Sequence, residues 1–203
     1  MDDYKLILFP DIFLKRKISI TPFRDNIIEE NLINHMFTIM HQYCGIGLAA
    51  NQIGLDKRIF VMDVSPFITE EIEPDLADSE HLSATEKEPK EPEELKDIST
   101  QHNHEVFINP AIIDKKNIIP SMEGCLSIPG TTAEIERYHN IKVNYYDQHW
   151  QLVERDLVGL SAICFQHELD HLDGKLFWEH LPPIQRGILQ KRHNKQQMED
   201  DSE

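Results

Sequence analysis

Apolar residues recur at helical spacing in two parts of the chain. In residues 25–43 they fall at intervals of three and four, on Ile28, Leu32, Met36, Ile39 and Tyr43. This pattern predicts an amphipathic helix that ends near Gly45. Residues 158–172 form the second such part, with Leu160, Ile163, Cys164 and Leu172. Here we expect a buried helix.

Short runs of β-branched and aromatic residues predict strands elsewhere in the chain. They cover residues 58–64, 106–113, 141–146 and 151–157, and the last two are expected to pair. Pro183 predicts the start of a last helix that runs to about Gln197, because proline is favourable at the first helical position. Strands and helices in this order predict an α+β fold with antiparallel sheet.

Residues 65–105 differ in composition from the rest of the chain. They contain 13 acidic and 3 basic residues, and so account for −10 of the net charge of −16. Four prolines and few apolar side chains leave too little apolar area to offset the entropy cost of ordering. We interpret the segment as a mobile acidic insertion in one domain spanning residues 1–203, and its His102 and His104 as incidental.

Composition also bears on location and partners. Three cysteines, an odd number, cannot form a disulfide framework by themselves, and Cys44 and Cys164 are expected to be buried thiols. The chain has no run of about 18 apolar residues and begins with an acidic stretch. We therefore expect a cytoplasmic protein without a membrane span. The acidic balance argues against binding to free nucleic acid.

The sequence His167-Glu168-Leu169-Asp170-His171 lies in the second predicted helix. Residues four apart share one face of a helix, so His167 and His171 can present two imidazole nitrogens to one metal ion. Glu168 lies beside them and is the candidate to take a proton from water and return it to a departing amine. Two protein ligands leave a metal under-coordinated, so a third is needed.

Cys125, within Glu123–Ser127, is the best candidate for the third ligand. The longer protease pattern HExxHxxGxxH would need a histidine where Phe177 stands, and the last glutamates, Glu199 and Glu203, lie in a polar tail. A Cys-His-His set leaves a fourth position open, which is typical of catalytic metal sites. Two other interpretations remain open: an HExxH metalloprotease, and a binding module with a structural metal.

A third segment, Gly45–Gln52, is rich in small residues that allow a backbone to approach a ligand closely. Together with Glu123–Ser127 and His167–Gly174, it resembles the signature motifs of the peptide deformylase family: GΦGΦAAxQ, EGCΦS and HEΦDHΦxG, in which Φ is apolar. All three match in full and in order. Arg137 also matches a family position. The resemblance covers nearly the whole chain except residues 65–105 and the last few residues.

The resemblance implies antiparallel β-sheets packed around a central helix that carries HExxH, with N- and C-terminal helices. It implies an enzyme that removes the formyl group from N-formylmethionine at the start of nascent polypeptides and releases formate. It also implies one divalent metal ion on Cys125, His167 and His171, with Fe²⁺ expected and Zn²⁺, Ni²⁺ or Co²⁺ as alternatives. One departure is Trp150, which stands in a turn where the family usually has glycine.

The resemblance further implies roles for residues around the metal. Gln52 and the backbone N–H of Leu126 would donate hydrogen bonds to a tetrahedral oxyanion. Gly47 would shape the substrate cleft. Ile163 and Cys164 would line an apolar pocket for the methionine side chain, although ordinary core packing is an alternative for both.

The last predicted helix is locally basic. Its cationic residues are Arg186, Lys191, Arg192 and Lys195. In some family members a terminal extension docks near the exit tunnel of the ribosome, where phosphate would favour such charge. A solvated helix face is the alternative interpretation.

Overall fold

The computed structural model describes residues 4–22, 30–67 and 103–200. Within these ranges the helices are α1 (Glu30–Gln42), α2 (Leu160–Leu172) and α3 (Pro183–Asp200). The strands are β1 (Gly47–Ala49), β2 (Ile59–Met62), β3 (Glu105–Cys125), β4 (Ile128–Tyr146) and β5 (Leu152–Val158). None of the described helices is long and apolar enough to cross a bilayer. The predicted α+β class with antiparallel sheet is confirmed.

The described strands form one sheet in the order β1-β2-β3-β4-β5, with every neighbouring pair antiparallel. β3 and β4 form a long hairpin whose pairing runs from Ile108 opposite Tyr146 to Cys125 opposite Ile128. Register irregularities interrupt the pairing, and such bulges bend and twist a hairpin. The sequence predicted only residues 106–113 of β3, because polar and proline positions obscure the alternation beyond them. The longer strand carries Cys125 to the site.

Apolar contacts hold the helices to the sheet. α1 buries Met36 and Met40 against β1 and β2, and their four-residue spacing places them on one face. α2 packs on β1, β2, β4 and β5. Its Phe165 ring meets Phe60 and Phe107 edge-on, with centroids 5.2 and 5.4 Å away. Full burial of one such side chain contributes about 1.5–3 kcal/mol.

One buried polar side chain fixes α2 along β4. Gln166 donates hydrogen bonds to the carbonyls of Tyr138 at 2.7 Å and Ala162 at 2.9 Å, and accepts one from the Tyr138 N–H at 3.0 Å. A buried amide is costly unless its hydrogen bonds are made, so the helix has one favoured position along the strand. That position sets where His167 and His171 lie relative to the sheet.

The predicted helix over residues 158–172 begins later than expected. Val158 belongs to β5, where it pairs with Asn140, and α2 starts at Leu160. Gly159 separates the two elements with a φ of 60°, a left-handed conformation that glycine adopts with little strain. The strand therefore ends, and the helix begins, at the residue best suited to the change of direction.

The predicted hairpin of the last two strands is confirmed, with Tyr146 opposite Leu152. Trp150 lies in its turn with a φ of 58°. This is the left-handed region, which explains why a glycine suits the position. The Trp150 ring lies 5.7 Å from that of Tyr146, so apolar contact offsets part of the backbone cost.

Both ends of the predicted acidic insertion belong to regular structure. Ser65–Phe67 form a short 3₁₀ helix, and Glu105 begins β3 opposite Met62. The intervening residues 68–102 lie outside the described part of the chain, as do residues 25–29 of the first predicted helix.

The prediction for the two non-ligand cysteines is half correct. Cys164 is buried, but Cys44 is exposed. α1 ends at Gln42, and Cys44 follows in a turn with a φ of 55°, its N–H bonded to the His41 carbonyl at 3.0 Å. The apolar residues around Cys44 in the sequence suggested burial, but this residue lies in a turn at the surface.

Candidate metal centre

The three predicted metal ligands meet beside the C-terminal half of α2. Cys125 ends β3, and His167 and His171 lie on one face of α2 because they are four residues apart. The Cys125 sulfur lies 3.2 Å from Nε2 of His171. The ligand atoms of all three residues lie within 4.8 Å of one another. Two segments more than forty residues apart thus supply one cluster of donors.

A buried carboxylate that the sequence analysis did not assign orients His167. Nδ1 of His167 lies 2.9 Å from a carboxylate oxygen of Glu123, which accepts its hydrogen bond. Such a pair fixes the tautomer of a ligating histidine, presents its Nε2 to the metal and raises its basicity. Glu123 lies two residues before Cys125 in β3, so both side chains leave the same face of the strand. The two-residue spacing from Cys125 could therefore have identified Glu123 from the sequence.

Glu123 belongs to a buried ionic network. Arg137, 3% exposed, donates to both Glu123 oxygens at 2.8 and 3.0 Å and to Asp170 at 2.5 Å. His180 lies 2.6 Å from the same Asp170 oxygen. Burial raises the pKa of both carboxyls, but these partners outweigh it. His167 and Arg137 hold the pKa of Glu123 at about 2, and His180 with Arg137 lowers that of Asp170 to about 2.

Glu168 projects from α2 into a cleft and is 3% exposed. Burial raises the pKa of its carboxyl to about 7, against an opposing influence from His167. A carboxyl with a pKa near neutrality can both accept and release a proton at the working pH. Position and pKa therefore suit the proton-carrying role predicted from the sequence.

Gly47 leaves the room that Glu168 occupies. A Cβ atom at position 47 would lie 2.5 Å from Oε1 of Glu168 and 2.8 Å from the sulfur of Cys164. Contacts that short are not tolerated, so any side chain here would displace the carboxylate. The backbone of β1 thus passes directly beside the Glu168 carboxyl, which accounts for the glycine in the first motif.

Gln52 is buried at one side of the ligands. Its Oε1 accepts a hydrogen bond from the Ala49 N–H at 2.8 Å. Its Nε2 donates to the Ser127 hydroxyl at 3.1 Å and lies 3.7 Å from the Cys125 sulfur. The amide is therefore fixed with its NH₂ group toward the ligand cluster. Leu126 follows Cys125 in the turn before β4 and lines the same cleft.

A cleft of about 620 Å³ opens over these groups. It is lined by every predicted site residue except His171, namely Gly47, Gln52, Cys125, Leu126, Ile163, Cys164, His167 and Glu168. Burial raises the pKa of the Cys164 thiol well above its ordinary value, so it stays protonated and behaves as a small apolar group. With Ile163 it gives the cleft an apolar wall, a common feature of pockets for small substrates.

The donor set fits a late first-row divalent cation. A thiolate and two imidazoles are suitable ligands for such ions. Burial lowers the pKa of His171 well below its ordinary value, which favours the neutral ring that binds metal. Asn51 donates to the His171 carbonyl at 2.7 Å and holds this end of α2 in place. Three potential metal ligands beside an open cleft and a glutamate are the arrangement found in hydrolases of the HExxH metalloenzyme class.

Comparison with known proteins narrows this class. Residues 4–187 match the family described as polypeptide deformylase. The chain is 35% identical over 190 residues to the peptide deformylase of Aquifex aeolicus (strain VF5), covering 94% of each protein. Crystal structures of peptide deformylases from Legionella pneumophila (TM-score 0.74, 27% identity, 98% of each chain covered) and Thermus thermophilus (TM-score 0.72, 30% identity, 95% and 93% covered) are similar.

The chain belongs to the peptide deformylase family. It is a hydrolase that removes the formyl group from N-formylmethionine at the start of nascent polypeptides, as the sequence predicted. The match sets aside the two other interpretations, a peptide-cleaving HExxH protease and a binding module with a structural metal.

Proposed function

We propose that Cys125, His167 and His171 hold one divalent cation in the deformylase site, with Fe²⁺ as the expected native ion and Zn²⁺, Ni²⁺ or Co²⁺ as substitutes. The single observation that carries this proposal is the approach of one sulfur and two imidazole nitrogens to within 4.8 Å of one another. When bound, the ion would lower the pKa of a water molecule and polarise the formyl carbonyl. α2, which supplies two ligands, would be the central helix of the fold.

Glu168 moves the proton in this proposal. Its carboxylate takes a proton from the attacking water and delivers it to the amine nitrogen as the C–N bond breaks. Two properties support the role. The carboxyl is buried in the cleft wall, and this burial raises its pKa to about 7 in the metal-free protein.

Gln52 and Leu126 stabilise the oxyanion that forms on the formyl oxygen. The Gln52 NH₂ is already oriented, because the Ala49 N–H holds the amide oxygen at 2.8 Å. The backbone N–H of Leu126, directly after the Cys125 ligand, is the second donor. Removal of one such donor typically costs about 3–4 kcal/mol of transition-state stabilisation.

The methionine side chain occupies the apolar wall formed by Ile163 and Cys164, and the nascent peptide leaves through the open side of the cleft. Both residues lie in α2 one turn before His167, so the pocket and the metal ligands share one rigid helix. A rigid support of this kind fixes the distance between the recognised side chain and the reacting carbonyl.

Substitution of Cys125 tests the ligand set. Cys125→Ser should weaken metal binding and remove the thiolate-to-metal absorption of the cobalt-substituted protein. Cys44→Ser is the matched control and should keep both, because Cys44 is an exposed turn residue. Unchanged cobalt absorption and affinity in Cys125→Ser would refute ligation by this sulfur.

The native ion requires a separate measurement. Elemental analysis of protein purified without oxygen should find iron at one ion per deformylase site, together with formate release from formyl-Met-Ala-Ser. Exposure to oxygen should then lower the activity, because an iron-bound thiolate is open to oxidation. Zinc in the anaerobic protein at full activity would contradict the assignment of iron.

We also propose that the chain works as a single domain in the bacterial cytoplasm, where formylated peptides are made, and that α3 docks beside the ribosomal exit tunnel. Exposed Lys191, Arg192 and Lys195 support docking on rRNA phosphate. Reversing these three charges to Glu should abolish co-sedimentation with ribosomes. The control Lys115→Glu/Lys116→Glu should co-sediment with ribosomes as wild type does. Unchanged ribosome binding by the α3 variant would refute docking through α3.

Charge reversal is a sharper test than removal of α3. His193 in the same helix is 2% exposed, and its Nδ1 lies 3.0 Å from the Thr131 hydroxyl. Its ring also meets Trp178 edge-on at 5.8 Å. Deleting α3 would therefore disturb the core, whereas the charged residues can be changed at the surface alone.

A further inference from the structure

A second group of potential metal ligands lies outside the deformylase centre. His41 is in the last turn of α1, Asp63 follows β2 directly, and His104 directly precedes β3. One ligand atom from each lies within 4.8 Å of the other two. We propose that these residues form a second site for a late first-row divalent cation, with two imidazoles and one carboxylate as its protein ligands.

The distances among the three atoms match the size of such an ion. Nε2 of His41 and Nε2 of His104 lie 3.1 Å apart, and Oδ2 of Asp63 lies 4.0 and 3.9 Å from them. The three atoms form a triangle, and the point in its plane that is equidistant from all three lies about 2.1 Å from each of them. This distance is the usual length of zinc bonds to nitrogen and carboxylate oxygen. The two longer separations exceed hydrogen-bond range, yet they suit two ligands of one ion.

Asp63 is built into the fold in a way that directs one oxygen to the imidazoles. Its side chain is fully buried. Oδ1 accepts hydrogen bonds from the Ser65 N–H at 3.1 Å and the Ser65 hydroxyl at 2.5 Å, while Oδ2 faces the two histidines. Hydrogen bonds to the second oxygen of a carboxylate are the outer-shell support that metal-ligating carboxylates use.

The histidine rings are also positioned by their surroundings. The His104 ring stacks on Phe37 with a centroid distance of 4.0 Å and an interplanar angle of 15°. His41 lies one turn further along the same helix as Phe37, so both imidazoles meet over one helix face. Their side chains are 35% and 46% exposed, which gives an ion a route of entry and lets water complete its coordination.

This arrangement links three separate parts of the chain. The ligands come from α1 and from the two positions that flank residues 68–102, Asp63 on one side and His104 on the other. None of the three lines the deformylase cleft. A bound ion would therefore tie α1 to both ends of that segment, without supplying a group to the reaction. In the sequence, His102 and His104 resemble a small metal-binding pair, but their place at the end of a segment expected to be mobile favours the interpretation that they are incidental.

Counting metal ions per chain tests the proposal. Protein with Ni²⁺ in the deformylase centre is titrated with Zn²⁺ by calorimetry, and wild type should bind one further equivalent. His41→Gln/His104→Gln should lose that equivalent while formate release stays at the wild-type rate. His149→Gln, which changes an exposed histidine in the turn after β4, should bind as wild type does.

X-ray absorption at the zinc edge then identifies the ligands. The second ion should show nitrogen and oxygen neighbours near 2.0–2.2 Å and no sulfur near 2.3 Å. A sulfur neighbour would mean that zinc had entered the Cys125 centre, and would overturn the proposal. So would a wild type that takes up no second equivalent, as expected if a direct His41–His104 hydrogen bond at 3.1 Å holds the two rings together without an ion.

If His41→Gln/His104→Gln fails to fold, the single variant His104→Gln replaces it in the titration, because His104 is the more exposed ligand. Zinc binding at the second site should then be markedly weaker than in wild type. Binding of wild-type strength in His104→Gln, at wild-type activity, would overturn the proposal.

Discussion

Arg137→Met tests how much the buried network beneath the metal centre stabilises the protein. Arg137 and Glu123 are 3% and 6% exposed, so solvent does little to screen their interaction. A Glu123 pKa of about 2, in place of the ordinary 4.5, corresponds to about 3 kcal/mol of stabilisation at neutral pH. Removing one partner of a buried ion pair typically costs about 3–5 kcal/mol. We therefore expect Arg137→Met to lower the free energy of unfolding by about 3–5 kcal/mol.

The pH dependence of this loss has a definite sign. The folded-state pKa of Glu123 lies below its unfolded value, so the stabilisation is complete above about pH 4.5 and is lost as the pH falls toward 2. Asp170 behaves in the same way. The difference between Arg137→Met and wild type should therefore shrink in acid. Urea unfolding of metal-free protein, followed by circular dichroism at about pH 7 and about pH 3, measures it.

A surface ion pair supplies the control. Arg16 and Asp56 form a pair whose side chains are 53% and 56% exposed, so Arg16→Met should cost less than about 1 kcal/mol. Arg137→Met should also weaken metal binding by roughly 10–100-fold, because Glu123 would no longer hold His167 in one orientation. A loss no larger than that of Arg16→Met, equal at both pH values, would refute the reasoning.

Three further predictions concern single positions. Glu168→Gln should abolish formate release yet raise the melting temperature of metal-free protein more at about pH 8 than at about pH 5, because a carboxyl whose folded-state pKa is about 7 destabilises the fold progressively as the pH rises from its unfolded value of 4.5 to about 7; an equal gain over wild type at both pH values would contradict this. Gly47→Ala should cut formate release by at least about 10-fold with metal content retained, since its Cβ would meet Glu168 at 2.5 Å, and an alanine variant of wild-type rate would count against that contact. Asn109, at φ 51°, pairs with both backbone groups of Thr21 at 2.8 and 2.9 Å. Asn109→Ala should cost about 2–4 kcal/mol in urea unfolding, and Asn109→Gly about 1–2 kcal/mol less because glycine relieves the left-handed strain.

Part of the candidate metal centre could be predicted from the sequence because the spacing of two of its residues is local. The four-residue spacing of His167 and His171 fixes their common face as soon as the segment is helical. Cys125 could be proposed as a third ligand by chemistry and by resemblance, but not by distance. Its approach to within 3.2 Å of His171 depends on the β3–β4 hairpin, which the sequence predicted only in part.

Features that depend on tertiary contacts escaped prediction. Glu123 and Asp170 lie within the recognised motifs, yet their pairing with Arg137 requires β3, β4 and α2 to be packed together. Cys44 follows apolar residues, and only the end of α1 shows that it turns outward. Periodicity along the chain reports which face of an element is buried, but not which distant element covers it.

The pairing of β3 with β4 has a consequence for how the chain becomes competent. Successive side chains of a strand alternate between faces, so a slip of this ladder by one position would turn the Cys125 thiol away from α2. With the ion held as proposed, metal uptake at this centre would therefore distinguish correctly aligned from misaligned chains. A hairpin formed with the wrong offset would leave an inactive molecule that takes up metal poorly, and occupancy itself would report that maturation is complete.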